Sequence, residues 1–415
     1  MILYTSRGVS VLGILLLVLT CCVCPSQPAE EEPFAQVVWQ TSGYGIDGCE
    51  NGILSDGVLY QPEGWYGGIS ATRVSDGKLL WQIGQKFSAK SNVVVSGERL
   101  YIFSCAIHED GIDVEDYLWV LNKESGTVMA RVTLTGSPVL HQSEGWVALY
   151  KGYLYFPCTD DVFNPTVDGI FRMAETDIEL SGDTDQTRSV SLFLDVTQYQ
   201  RPSVRFLFEN DRVYVYLGGA GWRGRLPEGE TLIPGYYPQD AVQVLCLNLD
   251  GTEIWKTGLQ YAGRVSGAND VLLMDDTWLY LGDWSGRACL NKADGSLVWE
   301  QSGFTSSDRL VLEGKKLYST CDVSLNCFNA ETGALQWQFN SSFTLDSNPI
   351  IWESRVYCVM ADALRVFEAG NGKLLFTNSD WGLPGYRVQG FIPYQDNIIY
   401  LPKINEITAL RLRDL

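Results

Sequence analysis

One phrase returns along this chain with a constant internal offset, and it limits the possible folds more than any other feature. Gly77, Gly126, Gly251, Gly295, Gly333 and Gly372 are each followed four residues later by Trp81, Ala130, Trp255, Trp299, Trp337 and Phe376. The residue before each glycine is Asp, Ser, Asp, Asp, Thr and Asn in turn. Asp-Gly and Asn-Gly favour the positive-φ turns that join antiparallel strands. Each phrase therefore predicts a β-hairpin with a large side chain on its second strand.

A second marker runs alongside the first. An aliphatic residue precedes a tyrosine at Tyr60, Tyr101, Tyr155, Tyr214, Tyr280, Tyr318, Tyr357 and Tyr400, at spacings of 41, 54, 59, 66, 38, 39 and 43 residues. Most copies follow a polar turn, as in SDGVLY, SGERLY and EGKKLY. Units of ~40–45 residues, each with room for four short strands, predict a β-propeller. Eight tyrosine markers predict an all-β, eight-bladed ring over residues 35–415, with seven blades as the alternative because blade three lacks the glycine-plus-four aromatic. AQVVWQT (35–41) reads as an aromatic strand with no hairpin before it, and NEITALRL (405–412) as a hairpin's first strand with no second. Together they predict one composite blade that closes the ring and removes the exposed edges of an open array.

With 46% hydrophobic residues in 415, a large core is available. The net charge of −20 argues against a nucleic-acid partner, since no general basic surface can displace counterions from a polyanion. Residues 1–24 have Arg7 followed by an apolar run from Val9 to Leu19, shorter than the ~20 residues a membrane span needs, and read as a secretory leader. Leu19-Thr20-Cys21-Cys22 resembles a relaxed bacterial lipoprotein box, with Cys21 or Cys22 as the lipid acceptor. Residues 25–34 read as an acidic, Pro-rich tether. The expected setting is the bacterial cell envelope, as a lipid-anchored monomer on its periplasmic or surface side, with a plain secreted chain or an uncleaved anchor as the alternatives.

The unit of a small residue, Asn or Asp, a Gly turn, three further residues and then Trp resembles the repeat of quinoprotein-type propellers, named for pyrroloquinoline quinone. LNCFNAETGALQWQF matches closely and ATRVSDGKLLWQI more loosely. The resemblance covers residues 35–415 and implies the fold. Its members include quinone-dependent dehydrogenases and non-catalytic lipoproteins of outer-membrane barrel assembly, so activity does not follow from the repeat. The alignment places Cys246, Cys289 and Cys327 in one slot, filled elsewhere by Ala71, Ala409, Val120 and Val366. That pattern predicts small buried hydrophobes rather than metal ligands. Cys105, Cys158, Cys321 and Cys358 fall in or beside the tyrosine strands and are open to pairing between blades. The tryptophans share a register and are expected to pack blade against blade.

Strand-two-to-three and strand-four-to-one loops emerge at one face of a propeller. Irregular segments fall in such loops: QPEGWYGG (61–68), CAIHEDGIDVED (105–116), the stretch from about Cys158 to Arg188, and the Gly- and Pro-rich 218–240. Loops on a rigid scaffold carry function. Trp65, Tyr66, Trp222, Arg223, Arg225, Tyr236, Tyr237, Trp381, Tyr386 and Arg387 are of the types that dominate binding hot spots and are the candidate binding residues. The run His108, Glu109, Asp110, Asp113, Glu115, Asp116 reads as a solvated acidic loop, with Ca²⁺ binding as the alternative. The chain has only two histidines, no nucleophile motif, no phosphate-binding glycine loop and no metal-ligand spacing. No catalytic residue of a quinone-dependent dehydrogenase can be placed on it. The sequence therefore predicts a non-catalytic binding protein for an envelope protein partner, with no cofactor. The alternative is a quinone- or sugar-binding protein or a dehydrogenase-like enzyme, with pyrroloquinoline quinone and Ca²⁺ in the central channel.

Overall fold

The computed structural model describes residues 34–44, 52–63, 68–83, 87–89, 91–107, 113–135, 146–158, 169–182, 184–197, 204–217, 242–259, 271–282, 286–302, 308–321, 323–342, 348–359, 363–379, 394–403 and 405–413. Their strands form eight sheets, each with a four-strand antiparallel core, here A to D in order across each sheet. Blade one holds Ile53–Ser55, Val58–Glu63, Gly68–Arg73 and Leu79–Ile83, and blade two Val94–Ser96, Arg99–Ile107, Asp113–Asn122 and Val128–Thr135. Blade three holds Ala148–Tyr150, Tyr153–Cys158, Gly169–Ala174 and Ser191–Asp195, and blade four Val204–Glu209, Arg212–Leu217, Val242–Asn248 and Glu253–Leu259. Blade five holds Val271–Met274, Trp278–Gly282, Gly286–Asn291 and Leu297–Ser302, and blade six Asp308–Glu313, Lys316–Cys321, Ser324–Asn329 and Leu335–Asn340. Blade seven holds Ile350–Trp352, Arg355–Val359, Leu364–Glu368 and Leu374–Asn378. Blade eight is composite: Tyr394–Gln395, Ile398–Lys403 and Asn405–Leu412 come from the end of the chain, and Ala35–Tyr44 from its beginning. The expected closure is present, with Ala35 opposite Leu412 and Trp39 opposite Ala409. Phe34, assigned to the tether from sequence, is buried against Phe376 and belongs to the fold.

One transverse row explains both sequence markers. In every blade the marker tyrosine on strand B lies opposite the small-residue slot on strand C, and in seven blades the slot lies opposite the large or replacing residue on D. The rows run Tyr60–Ala71–Trp81, Tyr101–Val120–Ala130, Tyr214–Cys246–Trp255, Tyr280–Cys289–Trp299, Tyr318–Cys327–Trp337, Tyr357–Val366–Phe376 and Tyr400–Ala409–Trp39. A small side chain at the centre leaves room for rings on either side. Next to the row, strand D carries a β-bulge in the blades with the aromatic, which turns consecutive residues such as Leu297 and Val298 outward.

The tryptophans join blade to blade. The indole N–H of Trp39, Trp81, Trp255, Trp299 and Trp337 donates to a turn carbonyl of the next blade: Val74 (2.7 Å), Lys123 (3.0 Å), Lys292 (3.1 Å), Ala330 (2.8 Å) and Ala369 (3.1 Å). The ring lies on the turn glycine of that same blade. A Cβ on Gly333 would sit 2.7 Å from Trp299 Cδ2, and the glycine has φ +71°, so a side chain is disfavoured on both counts. Gly77, Gly126, Gly295 and Gly372 meet Trp39, Trp81, Trp255 and Trp337 in the same way.

Blade three departs from the pattern, which is why it lacks the sequence signature. Its slot opposite Tyr155 holds Arg172, and the strand D position holds Ser191. The guanidinium takes the place of the missing indole. Arg172 Nη1 donates to the Leu249 carbonyl of blade four at 3.0 Å, the position after Asn248 that corresponds to Lys292 after Asn291. Its Cζ stacks 5.2 Å from the Tyr153 ring and 5.5 Å from the Phe193 ring. Arg172→Met leaves that carbonyl without its donor and should cost about 1.5–3 kcal/mol in urea unfolding, the range for hydrogen bonds to charged groups. Arg172→Lys should recover only part of it, because an ammonium lacks the planar stack.

The expected loop from Cys158 to Arg188 is also corrected. Only 159–168 joins strands B and C. Gly169–Ala174 is strand C, and the chain then makes an excursion at the opposite end of the blade: a 3₁₀ turn (Glu175–Asp177) and an edge strand (Asp185–Ser189) that pairs in parallel with strand D of blade two. Likewise, Asp113, Glu115 and Asp116 of the acidic run lie in strand C of blade two rather than in a loop, while His108, Glu109 and Asp110 lie outside the described residues.

Candidate functional site

The two ends of the ring differ in construction. A-to-B and C-to-D connections meet at one end, where backbone bonds tie them together: Lys292 N donates to Thr277 O, Ala330 N to Lys315 O and Ala369 N to Ser354 O. These are tight hairpins, with five residues between C and D in blades one, two, five, six and seven and four in blade four. The B-to-C and D-to-A strand ends all point to the other end. The segments that carry Trp65 and Tyr66, then Trp222, Arg223, Arg225, Tyr236 and Tyr237, then Trp381, Tyr386 and Arg387 are bounded by those strand ends, and the ten residues themselves lie outside the described ones. Cys21 and Cys22, the leader and residues 25–33 also lie outside them.

Buried polar side chains among the described residues are unevenly placed between the two ends. Buried polar side chains are costly unless hydrogen-bonded, so their placement is informative. Of the buried polar residues, Gln61, Ser70, Ser91, Gln243, Arg287, Ser319, Thr320, Asn326, Asn348, Asn378 and Thr408 lie on the loop side of the tyrosine row; Thr72 and Lys292 lie on the turn side. Both sides of the row are mainly apolar, and most of the buried polar side chains fall on the loop side. Asn92 spans blades two and three there, with Nδ2 donating to Val147 O (3.0 Å) and Oδ1 accepting from Val147 N (2.8 Å). Ser91 Oγ accepts from Phe103 N at 3.0 Å.

The most unusual of these residues is Arg287, with 0% of its surface exposed. Its Nη2 donates to Ser319 Oγ of blade six at 2.6 Å, and its Cζ lies 4.7 Å from the Phe328 ring of that blade. A fully buried guanidinium needs hydrogen bonds and an aromatic face to replace water. Sequence reasoning passed over Arg287, Ser319 and Asn92. Arg287 stands two residues before Cys289 on the same strand, so the period of two places it on the buried face, and that signal was available.

The cysteines behave as the slot predicts. Cys246, Cys289 and Cys327 are fully buried and free, as are Cys158 and Cys358, so no disulfide joins these five. Burial pushes the Cys289 and Cys358 thiols up to about 12 and those of Cys246 and Cys327 to about 11. Thiolate is the reactive form, and at about pH 8 it is a trace species here. Alkylation followed by peptide mass spectrometry should leave these five cysteines unlabelled in native protein and label all of them after denaturation. Among the described residues, no three His, Cys, Asp or Glu side chains converge.

A family model described as outer membrane protein assembly factor BamB matches residues 240–340 and again 288–414. No curated protein matches the sequence. Among solved structures, BamB from Moraxella catarrhalis is 13% identical with a TM-score of 0.60, over 91% of this chain and 99% of that one. Quinohemoprotein alcohol dehydrogenase from Comamonas testosteroni is 10% identical with a TM-score of 0.64, over 91% and 76%. The computationally designed Ika8 protein is 16% identical with a TM-score of 0.58, over 90% and 99%. An assembly factor and a dehydrogenase share this ring, so the likeness carries the fold and leaves the activity to the site. The repeated hairpin, the glycine-docked tryptophans and the eight-bladed closure make this chain an eight-bladed β-propeller, similar in its second half to a pyrroloquinoline-quinone-repeat family model.

Proposed function

We propose that this chain is a non-catalytic propeller of the bacterial envelope that binds a protein partner through its loop-bearing end. The observation that carries this reading is the polarity of the ring: buried polar side chains gather at one end, and the Trp-, Tyr- and Arg-bearing loops are bounded by strand ends at that same end. The BamB family match supports assembly at the outer membrane as the setting. Cys21 or Cys22 would carry the lipid that tethers the chain. Trp222, Arg223, Arg225, Tyr236 and Tyr237, with Trp65, Tyr66, Trp381, Tyr386 and Arg387, would supply the contacts. Aromatic rings with a polar tip and guanidinium groups give large contact area at low entropy cost and keep hydrogen bonds available.

The likeness to quinohemoprotein alcohol dehydrogenase supports a second reading, a small ligand in the channel. One comparison separates the two. Tagged protein is purified from native envelopes, as wild type and with residues 219–239 replaced by a short Gly linker. Recovery of outer-membrane assembly components by wild type, lost in the variant, is the expected result. Recovery of no partner by either form would overturn the protein-binding reading, and calorimetric titration with pyrroloquinoline quinone and Ca²⁺ would then test the channel.

A further inference from the structure

The excursion in blade three has no counterpart among the described residues of the other blades. Sixteen residues, Glu175–Val190, stand where five such as Lys292–Ser296 connect strands C and D elsewhere. Their edge strand, Asp185–Ser189, crosses the seam and extends the sheet of blade two, with Arg131 opposite Asp185, Thr133 opposite Thr187 and Thr135 opposite Ser189. Every other blade ends at its fourth strand among the described residues.

This strand is attached in an uncommon way. From Glu179 to Leu192 no described residue is buried, and along Asp185–Ser189 exposed side chains alternate with half-buried ones. The segment is anchored before and after that stretch. Ile178 is buried in the core between blades two and three, Tyr101 Oη donates to Glu175 Oε1 at 2.5 Å, and Phe193 is buried beyond it. Between the anchors, backbone pairing and surface polar contacts hold the strand, with half-buried Val190 packing on the core just after it. Arg131 Nε lies 2.7 Å from Asp185 Oδ1, and Arg188 Nη2 2.9 Å from Glu179 Oε1. The Arg131 guanidinium itself is fixed over the Tyr117 and Trp119 rings at 5.7 and 5.5 Å. Elements with little apolar burial sit at the low end of local stability, and exposed ion pairs add little to it.

We propose that the outer edge of blade two is a strand-acceptor site, occupied by Asp185–Ser189 as a tethered stand-in that an extended segment of a protein partner displaces. Strand addition draws its affinity from main-chain hydrogen bonds and its selectivity from a few side chains. Here the selecting group is Arg131, so the partner strand runs parallel to strand D of blade two and carries a carboxylate at the position of Asp185. This site lies on the outer wall and is independent of the loop-bearing end.

The test is disulfide trapping, which detects weak but registered binding. The acceptor is full-length protein carrying Thr133→Cys, with Asp185–Ser189 replaced by a Gly-Ser segment of equal length; the same protein without Thr133→Cys gives the baseline. Since the replaced stretch has no buried side chain, the variant should keep its fold, which circular dichroism checks. The probe is a synthetic peptide of residues 182–190 with Cys at the place of Thr187. Mixed disulfide should form about tenfold faster or more than with Cys at the place of Thr184. It should slow by about tenfold, or ~1.4 kcal/mol, when the peptide's Asp185 is replaced by Lys. Restoring the native edge strand should suppress trapping, because a tether supplies the competitor at ~mM effective concentration. Equal rates in all registers, or no effect of the native strand, would overturn the proposal. If the variant does not fold, hydrogen exchange of wild type decides: protection at Gln186–Ser189 as strong as in strands B and C of blade two would contradict a displaceable strand.

Discussion

Trp299→Ala should lower the unfolding free energy by about 3–5 kcal/mol, the range for large buried aromatics. The side chain is 9% exposed, stacks on Gly333 and donates to Ala330 O, so its loss removes packing and a hydrogen bond from one seam together. Gly333→Ala should break the same contact from the other side. A control separates the two costs of that substitution. Gly314 has φ +56° with nothing within 4 Å of the place a Cβ would take, so Gly314→Ala reads only the backbone cost, about 1–2 kcal/mol. Gly333→Ala should exceed it clearly in wild type and fall to about the same value in a Trp299→Ala background. That non-additivity in a double-mutant cycle, measured by urea unfolding, is the signature of a shared contact. Additive effects would mean that the indole and the glycine act separately.

Removing residues 1–44 should prevent the ring from closing. Ala35–Tyr44 supplies the outermost strand of blade eight, and Phe34 and Ala35 are buried against the end of the chain. Arg413 N donates to Phe34 O at 2.9 Å, and Trp39 donates across the seam to blade one. The truncation deletes a blade edge and a seam at once, an effect of about 5 kcal/mol or more, comparable with the net stability of a domain. It also bares strand C of blade eight as an unpaired edge. We expect aggregates or partly folded protein in size-exclusion chromatography, and recovery of a monomeric ring when a peptide spanning residues 34–44 is present during refolding. A truncated protein with an unchanged elution volume and melting transition would contradict closure by this strand.

The ring was legible because its information is local. A glycine turn, a ring four residues on and a tyrosine strand fix hairpin, register and seam contact within each unit, and the repeat multiplies the signal. Closure was legible from two half-units at opposite ends. Blade three was not, because its substitution is relational. Arg172 reads as an ordinary strand residue until Tyr155 and Ser191 flank it and Leu249 faces it from the next blade. The edge strand was hidden for a similar reason, since DTDQTRS carries polar and charged residues typical of a loop and its partner lies in another blade. Arg287 alternates with Cys289 along its strand, a signal present in the sequence, but its partners Ser319 and Phe328 come from the next blade.

The most direct test asks which end of the ring meets the partner. Photocrosslinking residues are placed singly at Trp222, Tyr236 and Tyr386, and at Asp294, Glu331 and Asn371 in the hairpin turns of blades five, six and seven. Binding through the loop-bearing end predicts protein adducts in native envelopes from the first three positions and none from the turns. Adducts from the turns alone would contradict it.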